Sequence, residues 1–138
     1  MSTAIIYWSG TGNTEAMAKA IERGLKEGGA ETVLLSVDKT SADAADTYEK
    51  IAFGCPSMGE EVLEENEFEP FFLSIEKKLG GKKTALFGSY NWGDGQWMQD
   101  WQKRVKAAGA ALFEEGLIQQ EAPAETVCAE FGKRFAAF

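Results

Sequence analysis

Ala4-Ile5-Ile6-Tyr7-Trp8 runs directly into Ser9-Gly10-Thr11-Gly12-Asn13-Thr14-Glu15. A short apolar run followed by a Gly/Ser/Thr cluster reads as a buried strand ending in a loop. Beyond the loop, Met17, Ile21 and Leu25 recur every four residues, which predicts an amphipathic helix over 13–26, ended by Gly28-Gly29. The loop therefore sits at a helix N-terminus, where unpaired amides and the helix dipole favour an anion. Gly10 and Gly12 let the backbone curl closely around such a ligand, and Ser9, Thr11 and Thr14 add hydroxyl donors. The first basic residue of the chain is Lys19, so a phosphate here would be held by neutral donors.

Outward from this segment the same alternation repeats. Strands are predicted at 32–37, 51–55 and 84–88, with a fifth starting at 110–113 and resuming at Leu117-Ile118. Helices are predicted at 67–79 (Phe71, Phe72, Ile75 and Leu79 inward), 96–108 (Trp97, Trp101, Val105) and from Pro123 to the end (Val127, Phe131, Phe135). The segment 41–47 reads as a short helix or turn. Strands alternating with helices predict an α/β fold: a doubly wound five-stranded parallel sheet of order 2-1-3-4-5, with helices on both faces. Nothing marks a linker or repeat, so 1–138 reads as one domain. Ligands of such sheets bind beyond the carboxyl ends of the strands.

Composition narrows the chemistry. The chain has 138 residues, no histidine, two cysteines and a formal net charge of -8. Without histidine, Ser-His-Asp and Cys-His catalysis and histidine-containing zinc sites are excluded. The acidic balance argues against nucleic acid and for basic protein surfaces as partners. Cys55 and Cys128 read as core thiols. No segment is apolar enough to span a membrane, and no basic residue precedes the first apolar run, so a cytoplasmic protein is expected.

Rival phosphate loops fail at named positions. A dinucleotide-binding loop needs a third glycine where Glu15 stands, and a Walker A loop needs a lysine that is absent. A small tyrosine phosphatase needs a cysteine and an arginine in this loop, and neither is present. A receiver domain needs acids at the ends of strands 1 and 3, where Trp8-Ser9 and Gly54-Cys55-Pro56 offer none.

Two further loops carry large polarizable side chains. Pro56-Ser57-Met58-Gly59-Glu60-Glu61 follows strand 3, and Ser89-Tyr90-Asn91-Trp92-Gly93-Asp94-Gly95 follows strand 4. Met58 and Trp92 either clamp a flat aromatic ligand or cover the rim of the core.

Taken together, Ser-Gly-Thr-Gly-Asn-Thr at 9–14, the Met58-Gly59-Glu60-Glu61 turn and Ser89-Tyr90-Asn91-Trp92-Gly93-Asp94-Gly95 resemble the short-chain flavodoxins of anaerobic bacteria, over essentially the whole chain. The resemblance implies a low-potential, one-electron carrier without substrate turnover. It would hold non-covalent flavin mononucleotide (FMN) cycling between semiquinone and hydroquinone, and act as a monomer. It further implies that Ser9, Gly10, Thr11, Gly12, Asn13 and Thr14 bind the phosphate. Trp92 and Met58 would flank the isoalloxazine, and Glu61 would accept the flavin N3–H. The Gly59–Glu60 peptide would meet N5, the amides of Asn91 and Trp92 would reach O2, and Trp8 would lie beside the site. Ser57 and Asn91 stand where relatives usually carry Ala and Gly.

Two physical expectations accompany the resemblance. In a four-residue turn from Met58 to Glu61, a positive φ falls on Gly59 or Glu60, and Glu is penalised by roughly 1–2 kcal/mol there. Residues 51–76 contain Glu60, Glu61, Glu64, Glu65, Glu67, Glu69 and Glu76 and no Lys or Arg. They read either as a solvated helix face or as an acidic rim that steers basic partners and lowers the flavin potential. A reductase on the same fold and an activator of a radical enzyme are the enzymatic alternatives. The first would need room above the flavin, which Met58 and Trp92 would fill.

Overall fold

The computed structural model describes residues 2–138. Chain order runs β1 (Ser2–Tyr7), α1 (Asn13–Glu27), β2 (Glu31–Ser36), α2 (Ala42–Ala45), β3 (Lys50–Gly54), α3 (Phe68–Glu76), β4 (Lys83–Tyr90), α4 (Gln96–Ala107), β5 (Ala111–Leu112), β6 (Leu117–Gln120) and α5 (Glu125–Ala136). All strand pairs are parallel, in the order β2-β1-β3-β4-β5, with β6 also paired to β4. This is the doubly wound order expected from the sequence. The expected fifth strand is two short segments on one edge, Ala111–Leu112 beside Lys83–Thr84 and Leu117–Gln120 beside Phe87–Tyr90.

Strand alternation divides the core. Ala4, Ile6, Ile51, Phe53 and Leu86 face α3 and α4, against Phe68, Phe72, Ile75, Trp97, Trp101 and Val105. Ile5, Ala52, Ala85 and Phe87 face α1 and α5, against Met17, Ile21, Leu25, Cys128, Phe131 and Phe135. These strand residues point alternately to the two faces because side chains in a strand do so.

On α5 the inward stripe differs from the expected one. Val127 is 45% exposed, and its neighbour Cys128 is fully buried with Phe131, Gly132 and Phe135. The cause is contact with α1. A Cβ on Gly24 would fall 1.8 Å from the Ala129 carbonyl oxygen, and one on Gly132 would fall 2.2 Å from that of Ile21. So close an approach presents the face holding Cys128 and Gly132 and turns Val127 away. Both cysteines are free and buried. Burial pushes both thiols up, that of Cys128 to about 11.

Candidate functional site at the carboxyl ends of the strands

The turn between β1 and α1 is built as the sequence suggests. Gly12 has φ 101°, a left-handed conformation that glycine adopts without strain, and the space above its Cα is open. The Ser9 hydroxyl oxygen accepts from the amides of Gly12 and Glu15, both at 3.2 Å. The amides of Thr11, Asn13 and Thr14 have no protein acceptor among the described residues. Thr14 is turned inward, its hydroxyl 2.7 Å from that of Ser89 at the end of β4. That bond ties the floor of the first loop to the fourth strand.

Trp8 lies across this loop. A Cβ on Gly10 would stand 3.0 Å from its ring, and its indole N–H donates to Glu67 at 3.1 Å. A cavity of about 100 Å³ opens beside it, lined by Trp8, Gly10, Thr11, Ser57, Met58, Ser89, Tyr90 and Asn91, together with Pro56. Met58, in its lining, is 37% exposed, and Trp92, next in the chain to the lining residue Asn91, is 60% exposed.

The loop after β3 is a small hairpin. Met58 and Val62 exchange backbone bonds of 2.8 and 2.9 Å around Gly59, Glu60 and Glu61. Gly59 takes φ 52° and Glu61 takes φ 56°. The four-residue turn expected from the sequence is thus corrected to a three-residue loop. The positive φ does fall on Gly59, but the strained glutamate is Glu61, because closure occurs at Val62 rather than Glu61.

Three strand-end loops therefore converge on one cleft: a phosphate-type helix terminus, a hairpin carrying Met58 and a loop carrying Trp92. The sequence profile of the flavodoxin family matches residues 5–132. The chain belongs to the flavodoxin family. It is 48% identical to the flavodoxin of Clostridium beijerinckii over 96% of this chain and 97% of that protein. It is 43% identical to the flavodoxin of Megasphaera elsdenii over 94% of each. The solution structure of two-electron reduced Megasphaera elsdenii flavodoxin superposes with a TM-score of 0.91, at 42% identity and covering 99% of both chains. As a flavodoxin the protein binds FMN and is an electron carrier, an electron-transfer flavoprotein rather than an enzyme turning over a substrate of its own.

The residues present fit that cofactor. Free amides at the α1 terminus suit a phosphate, and nothing basic is required there. The cavity, at about 100 Å³, is smaller than the roughly 300 Å³ usual for small-molecule pockets and is open to the surface beside Met58.

The tertiary structure gives the acids of 51–76 separate partners. Of the seven acids in 51–76, Glu69 and Glu76 clamp Arg104 from α4, with four N–H to O bonds of 2.8–3.1 Å. The guanidinium also lies 4.9 Å above the Phe72 ring. Glu64, 5% exposed, accepts from the amides of Asn66, Glu67 and Phe68, each at 2.8 Å, and closes the N-terminus of α3. Burial raises its pKa, but those three bonds outweigh burial and hold it below the usual carboxylate range. Glu67 accepts from Trp8, and Glu61 accepts from the amides of Gly95 and Gln96. Only Glu60 and Glu65 make neither an ion pair nor a side-chain hydrogen bond among the described residues.

Two supporting residues escaped the sequence reading. Glu67 fixes Trp8, and the Gln120 side chain donates to the Asn91 carbonyl at 3.3 Å, steadying the β4 loop from β6. Neither has a local signal, since each acts on a loop distant in sequence.

Proposed function

We propose that residues 1–138 form a single FMN-binding domain that passes electrons one at a time between redox enzymes, at low potential. The observation that carries the site is the run of free amides at Thr11, Asn13 and Thr14, beside the cavity under Trp8. In this reading the 9–14 loop holds the phosphate through those amides and the hydroxyls of Ser9 and Thr11. The Thr14–Ser89 pair forms its floor, and Ser57 and Tyr90 line the wall. Met58 and Trp92 flank the ring, and the Asn91 and Trp92 amides donate to its pyrimidine oxygen. Gly59, at positive φ, presents the Gly59–Glu60 peptide to N5, and Gly93, also at positive φ, lets the loop after β4 turn back. When bound, the flavin supplies the reversible uptake of electrons. The protein's own part is to bind the phosphate, hold the ring and keep one ring edge at the surface.

The partners in this reading are basic protein surfaces, drawn by a net charge of -8 and by the unpaired Glu60 and Glu65. The protein acts as a monomer in the cytoplasm. No helix among the described residues is long and apolar enough to cross a membrane.

A stepwise reductive titration of the flavin-loaded protein tests the reading. Long-wavelength absorbance should rise to half-reduction and vanish at full reduction. Direct bleaching without that band refutes one-electron transfer. Trp92→Ala should weaken FMN binding by about tenfold or more, equivalent to about 1.4 kcal/mol. Unchanged affinity would remove Trp92 from the site.

A further inference from the structure

Glu61 stands between two of the loops that form the cleft. Its backbone is left-handed, at φ 56°, which an L residue other than glycine adopts only at a cost. Its Oε1 accepts from the amides of Gly95 and Gln96 at 3.2 and 2.9 Å. Those amides begin α4, whose own N-cap is Gly95 and supplies no side-chain acceptor. The cap α4 lacks is therefore delivered from the other loop, and a carboxylate is favoured there by the helix dipole. The third observation is space. A Cβ on Gly93 would stand 2.7 Å from both Cδ and Oε1 of Glu61, so only a glycine admits the carboxylate. The second carboxylate oxygen, Oε2, accepts nothing among the described residues.

We propose that Glu61 is a positioning residue whose carboxylate latches the 58–62 hairpin to the N-terminus of α4, through the gap left by Gly93, and so sets the spacing of the two flavin-flanking loops before FMN arrives. The identity of the ligand rests on the site reading above, whereas the latch is made of protein groups alone. One oxygen serves the protein and the other is left to the cofactor. The strain at residue 61 is held in place by the Met58–Val62 bonds on one side and the α4 amides on the other.

The test begins with the full chain stripped of flavin. Hydrogen exchange at the Gly95 and Gln96 amides is followed by NMR in wild type, Glu61→Ala and Glu61→Gln. Glu61→Ala should lower protection by about tenfold, while Glu61→Gln, which keeps an acceptor oxygen, retains most of it. FMN affinity is then measured by fluorescence quenching for Gly93→Ala in wild-type and Glu61→Ala backgrounds. The positive φ at Gly93 strains both variants equally, but the clash with the carboxylate exists only in the first. Gly93→Ala should therefore weaken binding about tenfold in wild type and less than about threefold without Glu61. Protection indifferent to Glu61, or equal effects in the two backgrounds, overturns the latch. Protection that depends on Glu61, with FMN affinity indifferent to Glu61, Gly93 and Trp92 alike, leaves the latch standing and overturns the flavin-site reading instead.

Discussion

Replacing Arg104 by Met keeps part of the aliphatic stem and removes the guanidinium that lies over Phe72 and whose charge Glu69 and Glu76 share. Breaking a buried pair by removing one partner leaves uncompensated charge, at about 3–5 kcal/mol. Here Arg104, Glu69 and Glu76 keep 29%, 28% and 23% of their side-chain surface exposed, so water recovers part of that. A loss of about 2–3 kcal/mol is expected, against about 0–1 kcal/mol for an ordinary surface pair. With a urea slope of about 2 kcal/mol/M, the midpoint of the flavin-free chain should fall by about 1 M. The discriminating variant adds Glu69→Gln and Glu76→Gln to Arg104→Met. Removing the stranded charges should restore at least half the loss, because the damage lies in unpaired carboxylates rather than in a missing contact. Arg104→Lys should recover little, since a point charge cannot address two carboxylates as a planar fork does. A midpoint shift below about 0.2 M for Arg104→Met, or no recovery in the triple variant, refutes this account of how α3 and α4 are joined.

Acid should act through Glu64. Its folded pKa lies below the unfolded value, so its stabilisation is present at neutral pH and is lost as pH falls from about 4.3 through the depressed folded value. Glu64→Gln should be less stable than wild type at pH 7, with the difference shrinking in that window; parallel urea midpoints from pH 7 to 3 would contradict it. Gly24→Ala should destabilise by about 3 kcal/mol or more, although alanine is favoured over glycine in a helix by about 1 kcal/mol. Calorimetry decides by sign, because a stabilised variant would mean α1 and α5 are not in contact at Gly24 and Ala129.

Much of this molecule is local in origin. The strand-loop-helix start, the stripes on α1 and α4 and the glycine at Gly12 follow from periodicity and turn chemistry, which act within a few residues. So do the exposed Met58 and Trp92, each isolated among turn-forming residues. The α/β order follows as well, since parallel strands separated by helices have few ways to close. The acids between 51 and 76 show where that reasoning stops. In sequence they form one uniform run, yet in the fold Glu64 caps α3, Glu61 caps α4, Glu67 holds Trp8, and Glu69 and Glu76 share Arg104. Their partners lie from 2 to 59 residues away. Likewise, Val127 and Cys128 are both apolar at adjacent positions, and only the close contact of α1 with α5 decides which is buried. The sequence by itself determined the elements, their order and the loops that form the cleft. The tertiary structure alone decided which partner each acid meets, because that depends on which surfaces the packing of the sheet and helices brings together.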